Sequence, residues 1–353
     1  MAKITTSFDP NRTKLSEVIP LDSPFAMYVE PTRTCNFKCF YCMHSTRGEQ
    51  NGALDRTGFR LGHMDMRLYE KVVRETLCFP SKVRRVTFSG LGEPLMNPKL
   101  PEMIQMLRTA GFEGRIDVIT NGSLLTHELT DALIEAGMNR LQVSIQGLDR
   151  QQYLENCGVE ADLDELRSEL AYFYQKSRGT QSLVYVKIID DMVKGPGERE
   201  RFFQTYDDIC DTMWVEHLVV LEKQMGDHSG RADIKKTLQN EPIKKLKTVC
   251  SAMFYYLNVG CDGEVFPCTI PGLPNSLSLG NVERHTLQEI WNGSRRRGLL
   301  CKNLRDGFAS IPDCGEECTC VYGYLQDDSE YLDDCREELL NRIQQQGPGL
   351  EVD

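Results

Sequence analysis

Six short apolar runs, most followed by a longer stretch with apolar residues at helical spacing, narrow the possible folds of this chain more than any other feature. The runs are Ala26 to Glu30, Arg85 to Ser89, Arg115 to Thr120, Leu141 to Gln146, Leu183 to Ile189 and Val215 to Glu222. Asp65 to Phe79, Lys99 to Ala110, Thr126 to Ala136 and Leu163 to Gln175 carry the helical period, and Gly111 and Gly137 sit where C-terminal caps belong. This alternation predicts repeated βα units around a parallel sheet, either a barrel or a doubly wound sheet. In both, reactive groups collect at the C-terminal ends of the strands. The polar, Gly-rich segment Thr46 to Gly62 reads as a surface loop near the mouth of such a site, and Lys194 to Glu200 as a turn before the last barrel helix. From about Glu241 the rhythm gives way to cysteines and glycines, which places a domain boundary there.

The 353 residues suffice for one barrel-sized domain and a smaller appendage. A net charge of -11 argues against nucleic acid or an anionic membrane as partner and for a small-molecule substrate. The N-terminus lacks an apolar segment, and no run of about 18 apolar residues is present, so a cytoplasmic protein is expected. In a reducing compartment the 14 cysteines point to metal ligation before disulfides. Three of them lie between Cys35 and Cys42 and three between Cys314 and Cys320. Cys78, Cys157 and Cys210 read as packing residues.

Pro31-Thr-Arg-Thr-Cys35-Asn-Phe-Lys-Cys39-Phe-Tyr-Cys42 follows the first strand and supplies three thiolates on one loop. Zinc and iron–sulfur clusters both accept such ligands, and His44 is the nearest fourth ligand for zinc. A cluster held by three cysteines instead leaves one iron open to substrate. The CxxxCxxC spacing directly after a first barrel strand, with Tyr41 before the last cysteine, resembles the signature of the radical S-adenosylmethionine (SAM) superfamily. The resemblance implies a 4Fe-4S cluster on Cys35, Cys39 and Cys42, with SAM chelated at the open iron and split to a 5'-deoxyadenosyl radical. It also implies an electron donor such as flavodoxin or ferredoxin.

Further motifs follow in strand order. Ser89-Gly90-Leu91-Gly92-Glu93-Pro94 after the second strand resembles the family's GGEP element, which binds the SAM amino group, with Leu91 as a departure. Asn121 ends the third strand, and Ser144 and Gln146 end the fourth. By resemblance these contact the SAM ribose or carboxylate; as bare residues they read equally as turn or cap residues.

The downstream cysteines Cys250, Cys261, Cys268, Cys314, Cys318 and Cys320, with Asp262-Gly263 as a hairpin turn, resemble the SPASM/Twitch extension of this family. The implied fold is α/β: a partial (β/α)6 TIM-like barrel with a C-terminal cysteine-rich SPASM/Twitch auxiliary-cluster domain. The expected segments are 1–24 as an extension, 25–240 as barrel, 241–335 as auxiliary domain, and 336–353 as a helix end and disordered tail. One auxiliary 4Fe-4S cluster is expected on Cys250, Cys268, Cys314 and Cys320, with Cys318 as the alternative fourth ligand. A second cluster would draw on Cys261 with Cys301 or Cys335. Cys261 is otherwise a candidate hydrogen-atom donor.

Lys187, Asp190 and Asp191 at the fifth strand end, and the polar segment Leu221 to Arg231, are candidates for substrate binding, with Lys187 as a possible base. About twenty-five residues precede the first strand, too few for the leader-peptide-recognition domain common in peptide maturases. The expected reaction is therefore hydrogen-atom abstraction from a hydroxyl-bearing carbon of a sugar, aminocyclitol or similar substrate, ending in dehydrogenation or epimerisation. Peptide or protein maturation and a non-enzymatic iron–sulfur redox sensor are the alternatives.

Overall fold

The computed structural model describes residues 1–7, 11–57, 59–218, 235–314, 318 and 328–347. Its centre is one sheet in the order β1-β7-β6-β5-β4-β3-β2-β8-β9-β10. Six consecutive parallel strands form the middle: β2 (Ala26–Val29), β3 (Arg85–Phe88), β4 (Arg115–Thr120), β5 (Arg140–Ile145), β6 (Leu183–Ile189) and β7 (Thr212–Glu216). Each is the spatial neighbour of the next in sequence. A doubly wound sheet reverses direction at a switch point, so this single direction of winding selects the barrel-type arrangement. The short β1 (Lys3–Ile4) pairs with β7 at one edge.

Period-two alternation gives each central strand two faces. Val86, Phe88, Ile116, Val118, Leu141, Val143, Val184 and Val186 are at most 2% exposed and form the core with the helices. The alternate series is polar: Arg85 and Thr87, Arg115 and Asp117, Gln142 and Ser144, Tyr185 and Lys187. Connecting helices α3 (Met66–Leu77), α4 (Leu100–Thr109), α5 (His127–Glu135), α7 (Leu163–Ser177) and α8 (Glu198–Tyr206) follow the expected rhythm. Asp65, Thr126 and Asp162 cap three of them by accepting backbone N–H bonds, and Gly111 and Gly137 take the left-handed φ of +101° and +89° that ends a helix.

Three expectations are corrected. The sixth strand begins at Thr212, three residues before the expected start; residues 219–222 of that run lie outside the described residues. The segment 46–62 is not only a loop: α2 (Ala53–Thr57) buries Ala53 and Leu54 against Met43 and Leu91. Helix α6 (Arg150–Cys157), capped by Asp149 and ended by Gly158 at φ +67°, was not expected, because its buried face is only Tyr153, Asn156 and Cys157. The segment 348–353, expected to be disordered, lies outside the described residues.

The chain returns to the sheet at β8 (Tyr256–Val259), which runs parallel to β2 on the side opposite β3. Strands β9 (Glu264–Phe266) and β10 (Gly280–Asn281) follow antiparallel. The connection between β8 and β9 spans 260–263, wider than the two-residue turn expected, with Gly263 at φ +81°. Helices α9 (Leu287–Trp291), α10 (Ser294–Asp306) and α11 (Arg336–Gln344) cover this half.

Trp291 joins the parts. Fully buried, it meets the Phe79 ring edge-on at 6.5 Å, lies 3.3 Å beneath the Arg296 guanidinium carbon, and donates to the Leu21 carbonyl at 3.0 Å. Trp291→Ala is therefore expected to cost about 3–5 kcal/mol, seen as a lower denaturation midpoint with an unchanged denaturant slope. An unchanged midpoint would show that the N-terminal segment, barrel and appendage are not held together there.

Candidate active site

A cavity of about 220 Å³ opens at the C-terminal ends of the barrel strands. The cysteine loop leaves β2 and forms one wall with Cys35, Cys39, Tyr41 and Cys42. Gly90, Gly92 and Glu93 after β3, Asn121 after β4, and Ser144 and Gln146 of the β5 end form the rest. The structure thus brings these ten sequence-selected residues to one place.

Close backbone approach fixes the loop. A Cβ on Gly92 would sit 2.3 Å from the Thr32 carbonyl oxygen, and one on Gly90 would sit 2.6 Å from Glu30 Cγ, so neither position tolerates a side chain without movement. Glu93 is buried and accepts three hydrogen bonds: from Leu95 N–H at 3.0 Å, Thr120 Oγ1 at 2.6 Å and Asn121 N–H at 2.7 Å. Its carboxylate thereby ties the β3 loop to the end of β4, while burial pushes its pKa up. The Asn121 side chain donates to Asn36 in the cysteine loop at 2.9 Å.

On the other side, the Tyr41 hydroxyl donates to Gln146 Oε1 at 2.7 Å. Helix α6, missed in the sequence, supplies backbone acceptors to the same loop: Asn156 O from Phe40 N–H and Cys157 O from Lys38 N–H. The Cys157 thiol is buried, as expected of a packing residue, but hydrogen-bonds with Cys39. The Ser144 carbonyl accepts from Gln146 Nε2 at 3.1 Å, while its hydroxyl makes no hydrogen bond to another protein group among the described residues, which leaves that hydroxyl for a ligand in the cavity.

The thiols suit a metal cluster. Burial pushes Cys35 and Cys42 up to about 12, and Cys39 is raised first by its hydrogen bond with Cys157 and then by burial. A dehydrated thiol loses its proton to solvent readily only where a cation takes the proton's place on sulfur, as iron would in a thiolate-ligated cluster. Among the described residues no three or more His, Cys, Asp or Glu side chains enclose a single metal ion. His44, the zinc alternative, is buried with its Nδ1 at 3.3 Å from Arg47, and burial with that charge pushes it down to about 4.

In the appendage, Cys250, Cys268, Cys314 and Cys318 gather: Cys314 hydrogen-bonds with Cys318, and each of the other two lies within electrostatic reach of Cys318. Cys320 lies outside the described residues. Cys261, Cys301 and Cys335 sit in separate surroundings, beside Glu30 and Arg33, beside Arg305, and beside Glu338 respectively. Cys261 is not among the residues lining the cavity.

On the remaining strands, Lys187 lies opposite Ser144 in register and bonds Glu216 at 2.7 Å. Asp191 pairs with Lys194, and Asp190 accepts from Leu218 N–H at 3.0 Å. Asp190 also meets His217 Nδ1 at 2.6 Å. His217 was not selected in the sequence, because it fell inside the expected strand Val215 to Glu222, whereas β7 ends at Glu216 and leaves His217 just beyond it. The segment Leu221 to Arg231 lies outside the described residues. Among the described residues no helix is long and apolar enough to cross a membrane.

Comparison with known proteins agrees with this geometry. Residues 29–207 match the family model described as Radical SAM superfamily, and residues 250–320 the SPASM model, described as an iron-sulfur cluster-binding domain. The chain is 26% identical over 331 residues to the tungsten-containing aldehyde ferredoxin oxidoreductase cofactor-modifying protein of Pyrococcus furiosus, covering 84% of this chain and 88% of that one. In fold it is similar to BtrN in complex with AdoMet and 2-DOIA (TM-score 0.52, 18% identity, 87% of this chain and 97% of that one). It is also similar to Streptococcus suis SuiB bound to precursor peptide SuiA (TM-score 0.60, 15% identity, 92% and 78%). The superfamily match implies a 4Fe-4S cluster with SAM, and the second domain implies auxiliary iron–sulfur clusters. The chain belongs to the radical SAM superfamily, in its SPASM-containing branch.

Proposed function

We propose that the enzyme abstracts a hydrogen atom from a hydroxyl-bearing carbon of a small polar substrate held between the cysteine loop and the ends of β6 and β7. The observation that carries this reading is the Lys187–Glu216 pair, whose Lys187 lies in register with the cavity residue Ser144. The pair lies one strand beyond the cavity wall and sets charged hydrogen-bonding groups on β6 and β7 beside it.

Cys35, Cys39 and Cys42 would hold the first cluster. When bound and reduced, it supplies the electron that splits SAM to a 5'-deoxyadenosyl radical. The chain's own residues then do the positioning. Gly90 and Gly92 let backbone approach the cofactor, Glu93 holds the β3 loop against β4, Gln146 fixes Tyr41, and Ser144 offers a hydroxyl. Lys187 donates to a substrate hydroxyl, and the Glu216 carboxylate beside it accepts that hydroxyl's proton if the product is a ketone, the remaining electron then passing to an auxiliary cluster. Cys250, Cys268 and Cys314 would hold one auxiliary cluster with Cys320 or Cys318 as the fourth ligand, and the hydrogen bond between Cys314 and Cys318 supports the latter.

A second reading, that the substrate is the organic part of a cofactor undergoing modification, is favoured by the similarity over 84% of the chain to the Pyrococcus furiosus cofactor-modifying protein. Peptide substrates remain the contrasting class.

Anaerobic protein given dithionite and SAM is expected to release 5'-deoxyadenosine, measured by chromatography, and the Cys39→Ala variant to release none. Release that survives alanine at all three loop cysteines would sink the assignment. With a panel of aminocyclitols, sugars and short peptides, Lys187→Met is expected to lower product at least about tenfold while leaving 5'-deoxyadenosine release in place. Reaction in deuterated water separates the outcomes, since epimerisation labels the product carbon and dehydrogenation does not.

Iron counting tests the second domain. The double variant Cys250→Ala/Cys268→Ala is expected to lose about four irons per chain, whereas Cys301→Ala keeps the full complement. Equal iron in all three proteins would remove these cysteines from the ligand set.

A further inference from the structure

The opposite mouth of the barrel, at the N-terminal ends of the strands, holds a second cavity of about 230 Å³. Four arginines line it, Arg12, Arg84, Arg85 and Arg115, against one carboxylate, Glu330. In a chain with a net charge of -11 this concentration of positive charge is local to the cavity.

The strand register explains how it arises. Ala26, Arg85 and Arg115 occupy one row across β2, β3 and β4, and Tyr256 of β8 completes it. Like charges directly opposite each other on neighbouring strands repel, so the Arg85–Arg115 pair requires compensation. Arg115 receives some, its Nε lying 3.1 Å from Asp117 Oδ1, but Asp117 is shared with Arg140 at 2.7 Å. Arg85 makes no ion pair among the described residues. Its Nε is buried without a hydrogen-bond partner, and a terminal nitrogen reaches only the Tyr256 hydroxyl at 3.3 Å. Arg12 is paired with Glu330, and Arg84 lies 3.8 Å over the Phe25 ring with one nitrogen on Thr13 Oγ1 at 2.9 Å. The short side chain of Ala26 leaves the middle of the row open.

We propose that this cavity binds a compact phosphoryl anion, inorganic phosphate or the pyrophosphate group of a small metabolite. Guanidinium forks offer paired N–H donors that match phosphoryl oxygens, and Arg84 and Arg85 supply two forks at the same opening. The site is separate from the catalytic face, since it lies at the other end of the strands. An anion there bridges β3 to the N-terminal segment and to Tyr256 of the appendage, so its effect is to stabilise the joined domains.

The test is calorimetric titration of the anaerobic, cluster-loaded protein with inorganic pyrophosphate and, separately, inorganic phosphate at about 0.15 M ionic strength, with thermal unfolding in parallel. Saturable binding is expected, with a raised unfolding temperature. Arg84→Gln and Arg85→Gln should each weaken it at least about tenfold, while the exposed Arg67→Gln control, in the first turn of α3 and outside the cavity lining, binds as the parent does. Arg84 is exposed, so its variant is expected to fold, and circular dichroism checks this. The proposal is overturned if neither anion saturates the protein, or if Arg67→Gln weakens binding as much as Arg84→Gln does.

Discussion

Strand β2 is hydrogen-bonded on both edges, to β3 and to β8, and the cysteine loop starts where it ends. The loop's geometry depends on that double anchoring. At the exit from the strand a buried network fixes the direction of the chain: Glu30 accepts from Arg33 Nε at 2.8 Å and from Leu91 N–H at 2.7 Å, and Arg33 reaches across to Asp262 at 2.6 and 3.0 Å. Burial pushes the Glu30 carboxyl up, and the Arg33 guanidinium opposes it. A charge held this far from water persists only with such partners. The same few residues therefore join three segments that sequence alone leaves far apart: the cluster loop, the glycine turn after β3, and the β8–β9 connection.

The remaining strand ends serve the loop as much as any ligand. Glu93, Asn121 and Gln146 are all selected by resemblance as cofactor contacts, yet each spends side-chain hydrogen bonds on protein partners. Such bonds hold the first layer of a site within the tolerance that radical chemistry needs, because a mobile cofactor loses its orientation toward the substrate. Ser144 and the backbone beside Gly90 and Gly92 remain the groups most open to the cavity.

Much of this was legible in the sequence, for identifiable reasons. Strands with strong β-branched runs, such as Val184 to Ile189, and helices with dense apolar faces and caps, such as α3, declare themselves locally. The cysteine spacing carried the chemistry. Helix α6 was hidden because its buried face is sparse, and α2 because its two apolar contacts sit among polar and glycine residues. Pairing of β8 with β2 was not legible at all, since 230 positions separate Met27 from its partner Leu257 and no periodicity reports a partner. For the same reason Cys157 read as filler, although folding sets its thiol against Cys39. Asp190 and His217 directly follow different strands, and only the parallel register of β6 and β7 makes them a pair.

The placement of β8 also bears on how the chain survives its own synthesis. While the ribosome has delivered only the barrel, β2 is an edge strand with a free row of amides and carbonyls, a template for pairing with other molecules. The residues that cover this edge emerge more than two hundred positions later. Protection from aggregation thus arrives with the cysteine-rich half, which gives the appendage a part in covering that edge besides any electron it carries.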